Sequence, residues 1–171
     1  MDLRERKFFI ALANIKGIDF KIAKGLIEKY GTAEAIFSTD ALSLQNDEGE
    51  EQEFHLFKKS SKEEVMLFAE KEIDFIEKHN ISLIGFNSHN YPKRLLNCHD
   101  APILLYSKGD IDFNSQKFVS IVGTRNATEY GRDWCEKFVC ELAEMFPDLV
   151  IVSGLAYGID ICAHRAALEC G

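Results

Sequence analysis

Residues 118–131, FVSIVGTRNATEYG, and residues 149–168, LVIVSGLAYGIDICAHRAAL, decide how this chain folds. Each begins as a short apolar run, enters a glycine-punctuated turn and continues as a helix-like stretch. Phe118, Val119, Ile121 and Val122 lead into Gly123-Thr124-Arg125. Leu149, Val150, Ile151 and Val152 lead into Ser153-Gly154 and then Gly158-Ile159-Asp160. Near-continuous runs of this kind predict strands buried on both faces, as in a parallel sheet. Ligands of such sheets sit at the carboxyl ends of the strands, where both turns lie. Free amides at a helix start favour an anion there. Two adjacent turns and one arginine therefore predict a phosphate-accepting ledge built from Gly123, Thr124, Arg125, Ser153, Gly154 and Gly158.

Each of these residues also has a plainer reading. The glycines serve equally for positive φ or for tight helix–strand packing. Ser153 and Thr124 either donate to phosphate or cap a turn. Arg125 is the strongest candidate, because a guanidinium offers two parallel donors to phosphate; its alternative is a structural arginine bonded to carbonyls. Asp160 is expected to cap a helix starting at Ile161. His164, four residues on, is expected within hydrogen-bonding reach of it. Lys93, Arg94 and Lys117 add positive potential or are simply solvated. No catalytic residue, metal or cofactor is assigned.

At 171 residues the chain holds one full domain or two small ones. Its formal net charge of −8 does not advertise nucleic acid. The charge is spread, −5 over residues 1–80 (12 basic, 17 acidic) and −3 over residues 81–171 (8 basic, 11 acidic). A phosphate site must then be a local focus of amides and a few cations. No apolar run reaches the roughly 20 residues needed to span a bilayer. The opening MDLRERKFFIALANI lacks the features of a signal peptide, so a cytoplasmic location is expected. The five cysteines, Cys98, Cys135, Cys140, Cys162 and Cys170, form no C-x-x-C pair. Cys135 and Cys140 share one helix but not one face, and all five are expected to be reduced thiols.

Residues 4–37 read as short helices. Phe8, Phe9, Leu12 and Ala13 recur at helical spacing, Ile15-Lys16-Gly17-Ile18-Asp19 makes a turn, and Ile22, Ala23, Leu26 and Ile27 resume the period. Gly31 is a predicted stop and Thr32 a predicted cap. The pattern is that of a helix-hairpin-helix unit. Asp19 stands where a second glycine is usual, and its charge opposes phosphate, so packing or partner binding is favoured over DNA contact. Residues 47–53, DEGEEQE, are expected to be a solvated loop or helix start. Residues 61–79 predict an amphipathic helix with Val65, Phe68, Ala69, Ile73 and Ile76 on one face and Ser60 or Ser61 as its cap. It leads into a strand at 81–86, and a further short strand is expected at 103–106. The helix after the first turn is expected at about 131–146, with Trp134, Phe138, Leu142 and Met145 or Phe146 as its buried stripe. About four strands of a doubly wound sheet are thus counted. The predicted organisation is a helical domain over residues 1–60 and an α/β domain over residues 61–171.

The same motifs resemble the bacterial DNA-processing protein A family, DprA or Smf. Its marks are a Gly-Ser/Thr-Arg turn (Gly123-Thr124-Arg125), a following Tyr-Gly (Tyr130-Gly131), and a second turn that here runs from Ser153 to Asp160 with Ala163-His164. Tyr91-Pro92, Leu95, Ala101-Pro102, Leu104, Tyr106 and Gly109 resemble its lead-in. Tyr157 departs from the pattern, standing where many members carry Arg; a tyrosine there can stack on a base. The resemblance implies an α/β fold: a small helical, helix-hairpin-helix or SAM-like domain, then an incomplete Rossmann-like parallel-sheet domain that continues beyond Gly171. It implies binding of single-stranded DNA, loading of the RecA recombinase during natural transformation, a homodimer, and no enzymatic activity. A rival reading is a nucleotide-processing enzyme of the nucleoside-monophosphate phosphoribohydrolase type, whose signature turn would lie past Gly171. The helical hairpin favours DNA. No G-x-G-x-x-G follows the first strand, which disfavours an NAD enzyme.

Overall fold

The computed structural model describes residues 3–39, 42–45, 51–56, 61–114 and 117–171. The chain divides into two compact units, Met1–Asn114 and Ser115–Gly171.

The first unit opens with α1 (Leu3–Ala13), α2 (Phe20–Tyr30) and α3 (Ala33–Ser38). Phe9, Ile10, Ala11 and Leu12 are all buried, so the second half of α1 is enclosed on every side, while its first half is only partly covered. The helix boundaries follow from local chemistry. The Asp19 carboxylate accepts from the Ile22 amide at 2.8 Å and caps α2. Gly31, at φ +85°, ends α2, and Thr32 caps α3 through the Ala35 amide at 3.1 Å. Glu5 reaches from α1 to accept from the Ala33 amide at 2.7 Å, tying α1 to the start of α3. Asp19→Ala is expected to cost about 1 kcal/mol, the usual loss for a cap. Urea melts of the two proteins check it; identical midpoints would show that Asp19 stabilises nothing.

Strand β1 (Leu42–Gln45) pairs antiparallel with β2 (Glu51–Phe54), Leu42 opposite Phe54. The acidic stretch therefore enters a strand at Glu51 rather than a loop or helix start; residues 46–50 and Ser60 lie outside the described residues. Helix α4 (Lys62–Lys78) is capped by Ser61. Val65, Ala69 and Ile76 are buried, whereas Phe68 is exposed. Lys7 of α1 and Glu70 of α4 form an ion pair. Val65 and Ala69 join the core of α1–α3, so the compact unit runs past the expected division at residues 60/61.

Strands β3 (Ser82–Gly85) and β4 (Leu104–Ser107) pair antiparallel, Ile84 opposite Leu105. They belong to the first unit and do not extend a parallel sheet as expected. The connection between them carries only a three-residue 3₁₀ turn, Leu95–Asn97, and a parallel crossover normally needs a full helix. Phe86 packs edge-on against Phe20 at 5.4 Å and beside Phe9 at 5.7 Å. Buried Tyr91 donates its hydroxyl to the Pro102 carbonyl at 2.6 Å, which satisfies the polar end of a core aromatic.

The second unit is a strand–helix–strand–helix. Strand β5 (Lys117–Ser120) pairs parallel with β6 (Leu149–Val152), Phe118 opposite Val150, with α5 (Glu129–Met145) between them and α6 (Ile159–Cys170) after them. The apolar strand residues are mostly half-buried, not enclosed on both faces, because two strands and two helices cover less than a wide sheet does. Thr128 caps α5 through the Gly131 amide at 3.1 Å. Its buried positions are Cys135 and Val139, against Ala163 and Ala166 of α6. The predicted stripe is therefore turned outward: Trp134 is 58% exposed and stacks on the partly exposed Phe138 ring at 5.2 Å. The small alanines of α6 admit the narrow side of α5, and the large aromatics do not fit there. Cys140 and Cys170 form a disulfide between α5 and α6, Cα atoms 5.2 Å apart, which corrects the expectation of five reduced thiols. That pairing crosses two helices and is invisible to spacing within one. Cys135 stays a thiol, and burial beside Cys162 pushes its pKa up to about 11.

Among the described residues, no helix is long and apolar enough to cross a membrane.

Candidate functional site

Parallel pairing of β5 and β6 puts the turns at 121–128 and 153–158 at the same end of the sheet. The two turns interlock. A Cβ on Gly158 would lie 2.1 Å from the Thr124 carbonyl oxygen and 2.6 Å from that of Arg125, and Gly158 sits at φ +90°. A Cβ on Gly123 would lie 2.6 Å from the Ile159 side chain, and one on Gly154 would meet the Asp160 carboxylate at 2.9 Å. The Ile159 amide donates to the Thr124 carbonyl at 3.2 Å. The structure brings together all six expected ledge residues; Gly123 and Gly158 are required by packing between the turns, and Gly154 by the Asp160 carboxylate.

Several expected donors are spent inside the protein. The Gly123 amide donates to Asp160 Oδ1 at 3.3 Å. The Ser153 hydroxyl donates to the Ile121 carbonyl at 2.7 Å. Helix α6 begins at Ile159, so buried Asp160 lies in its first turn and makes no capping bond of the expected kind. Its carboxylate instead ties the start of α6 to the first turn. His164 Nε2 lies 3.4 Å from the Ser153 carbonyl oxygen, not against Asp160. The amides of Ile161 and Cys162 are taken by the carbonyls of Ala156 and Gly158.

What stays open is narrower. The Arg125 side chain is exposed and, among the described residues, makes no hydrogen bond or ion pair. Thr124 Oγ1 accepts from the Asn126 amide at 3.2 Å, which leaves its own hydrogen to donate outward. The amides of Gly154 and Leu155 have no partner among the described residues. Leu155 holds φ +55°, which costs a bulky residue on the order of 1–2 kcal/mol. That strained turn, with two amides unpartnered among the described residues, offers donors to an anion, and Arg125 in the other turn offers a guanidinium.

Arg125 also lines an open cleft of about 760 Å³ with Asn126, Tyr157, Gly158, Arg165 and Glu169. Arg165 was not among the expected site residues. Its signal was present: Gly158, Ile161, Cys162, Arg165 and Glu169 recur at three- and four-residue steps and so share one face of α6. No three His, Cys, Asp or Glu side chains cluster as a metal set among the described residues.

An α/β protein whose paired strand-end turns present an arginine and free amides is the class that this fold and site define. A family described as DNA recombination-mediator protein A matches residues 82–171, just over half of the chain, and the chain belongs to that family. It is 44% identical over 81 residues to the DNA processing protein DprA of Streptococcus pneumoniae, covering 47% of this chain and 28% of that protein. It is 28% identical over 174 residues to the protein Smf of Synechocystis, covering 96% of this chain and 42% of that one. The X-ray structure of DNA processing protein A from Streptococcus pneumoniae aligns with a TM-score of 0.48 at 35% identity, over 63% of this chain and 38% of that chain. The chain thus spans less than half the length of these relatives.

Proposed function

We propose that this chain binds single-stranded DNA by its phosphates, at the ledge formed by Thr124, Arg125 and the amides of Gly154 and Leu155. The observation that carries the reading is that two turns at the carboxyl ends of parallel strands hold, among the described residues, an unpartnered Arg125 guanidinium and two unpartnered amides. Gly123, Ser153 and Gly158 support the ledge from within. In this reading β5–α5–β6–α6 is the first part of a Rossmann-like domain and α1–α2 a helix-hairpin-helix unit. The whole protein acts as a homodimer that passes the strand to the RecA recombinase in recombination and natural transformation, in the cytoplasm. The family's description, DNA recombination-mediator protein A, and a relative's name, DNA processing protein, support the DNA recombination part of that role. The hairpin is given no DNA contact, because the Asp19 carboxylate occupies its turn.

The role is binding rather than catalysis. Asp160 is tied to the Gly123 amide and His164 faces the Ser153 carbonyl, so neither is presented as an acid or base.

Phosphate contacts position a strand without reading its sequence. Binding of oligo(dT) and of a mixed-sequence strand should therefore be alike. The affinity should fall with salt, the logarithmic slope being about −0.7 for each phosphate neutralised. Fluorescence anisotropy across a salt series measures this; a flat titration would mean that the turns do not hold phosphate.

A further inference from the structure

We propose that Arg165 and Tyr157 form a second nucleotide subsite in the cleft beside the ledge. Arg165 takes a further phosphate of the same strand, and the Tyr157 ring stacks on a base. This rests on the single-strand reading above and extends it along α6.

The cleft is lined by both residues together with Arg125. Arg165 is exposed and has no hydrogen bond or ion pair among the described residues. The third arginine of the cleft, Arg132, is held by the Ala127 carbonyl at 2.6 Å, so Arg125 and Arg165 are the two that remain uncommitted. Seven residues separate Gly158, which packs on the Arg125 carbonyl, from Arg165. That is about 10 Å of backbone along a helix axis, so the two arginines are rooted at separate places on the cleft wall. The pair therefore suits a ligand carrying successive phosphates. Tyr157 is 82% exposed in the second turn, between the two arginines in chain order, and has no hydrogen-bonding partner among the described residues. A ring so placed suits base stacking, which tolerates any sequence. Asp133 and Glu136 of α5 and Glu169 of α6 line the rest of the cleft, and repel a polyanion from that side.

The test uses the chain with labelled oligo(dT) and with an abasic strand of equal length, at several salt concentrations. Arg165→Ala should weaken oligo(dT) binding about tenfold and make the salt slope shallower by about 0.7. Arg165→Lys should keep the slope. Arg165→Gln gives the same readout as alanine and preserves the side chain's length should alanine lower the melting temperature. Tyr157→Ala should weaken binding of oligo(dT) several-fold and leave the abasic strand unchanged, while Tyr157→Phe binds as the parent does. Parent affinity and slope in Arg165→Ala and Arg165→Gln, with Arg125→Ala weakened, would overturn this subsite and leave the ledge standing. Equal losses on both strands in Tyr157→Ala would overturn the stacking role. A parent chain that binds neither strand would overturn the ledge and the subsite together.

Discussion

Gly158→Ala is expected to destabilise the second unit by roughly 3 kcal/mol or more. Two costs add. The backbone there stands at φ +90°, ψ −126°, which side chains with a Cβ seldom adopt and which costs of order 1–3 kcal/mol. The new methyl would also lie 2.1 Å from the Thr124 carbonyl oxygen and 2.6 Å from that of Arg125. Those atoms belong to backbone, and no rotamer change relieves them. One or the other turn must move, which breaks the Ile159–Thr124 hydrogen bond and the placement of Asp160. Losses of this size are a large share of a small domain's total stability. Urea denaturation followed by Trp134 fluorescence isolates this unit, since the protein has a single tryptophan. A midpoint within error of the parent's would show that the turns do not interlock as described.

Arg125→Ala is expected to weaken single-strand binding by about 1–3 kcal/mol, the range for losing a charge-assisted hydrogen bond. That is a rise in Kd of roughly 5- to 150-fold. Because the side chain is exposed and has no partner among the described residues, stability should be unaffected. The two readouts separate cleanly: anisotropy changes and the circular dichroism melt does not. An unchanged Kd in a folded protein would remove Arg125 from the ledge.

Much of the second unit was legible because its signals are local. Two apolar runs, each followed by glycines and a helical stretch, announce β5 and β6 before any packing is known. Caps read equally well at Thr32 and Ser61, since a cap bonds an amide only a few residues away. The misreadings share one cause, which is that a partner distant in sequence decides the outcome. Trp134 and Phe138 look like core by size, but the alanines at 163 and 166 select Cys135 and Val139 instead. Asp160 looks like a cap until the first turn, 37 residues earlier, is found to hold it. Cys140 looks unpaired until Cys170 arrives on another helix. The strands at 82–85 and 104–107 are correct as strands, but nothing in their composition states that they pair with each other antiparallel.

The interlocked turns bear on how genetics in this protein should be read. At positions 123, 154 and 158 the wild-type residue answers a demand made by neighbouring protein atoms. Alleles there lower the stability of the unit whether or not a ligand touches them, so a loss of function at these positions first reports folding. Alleles at Arg125, Tyr157 and Arg165 alter exposed side chains that make no hydrogen bond or ion pair among the described residues. Separation-of-function mutants, folded but unable to bind, should be sought among these three and not among the glycines that a motif search would pick first.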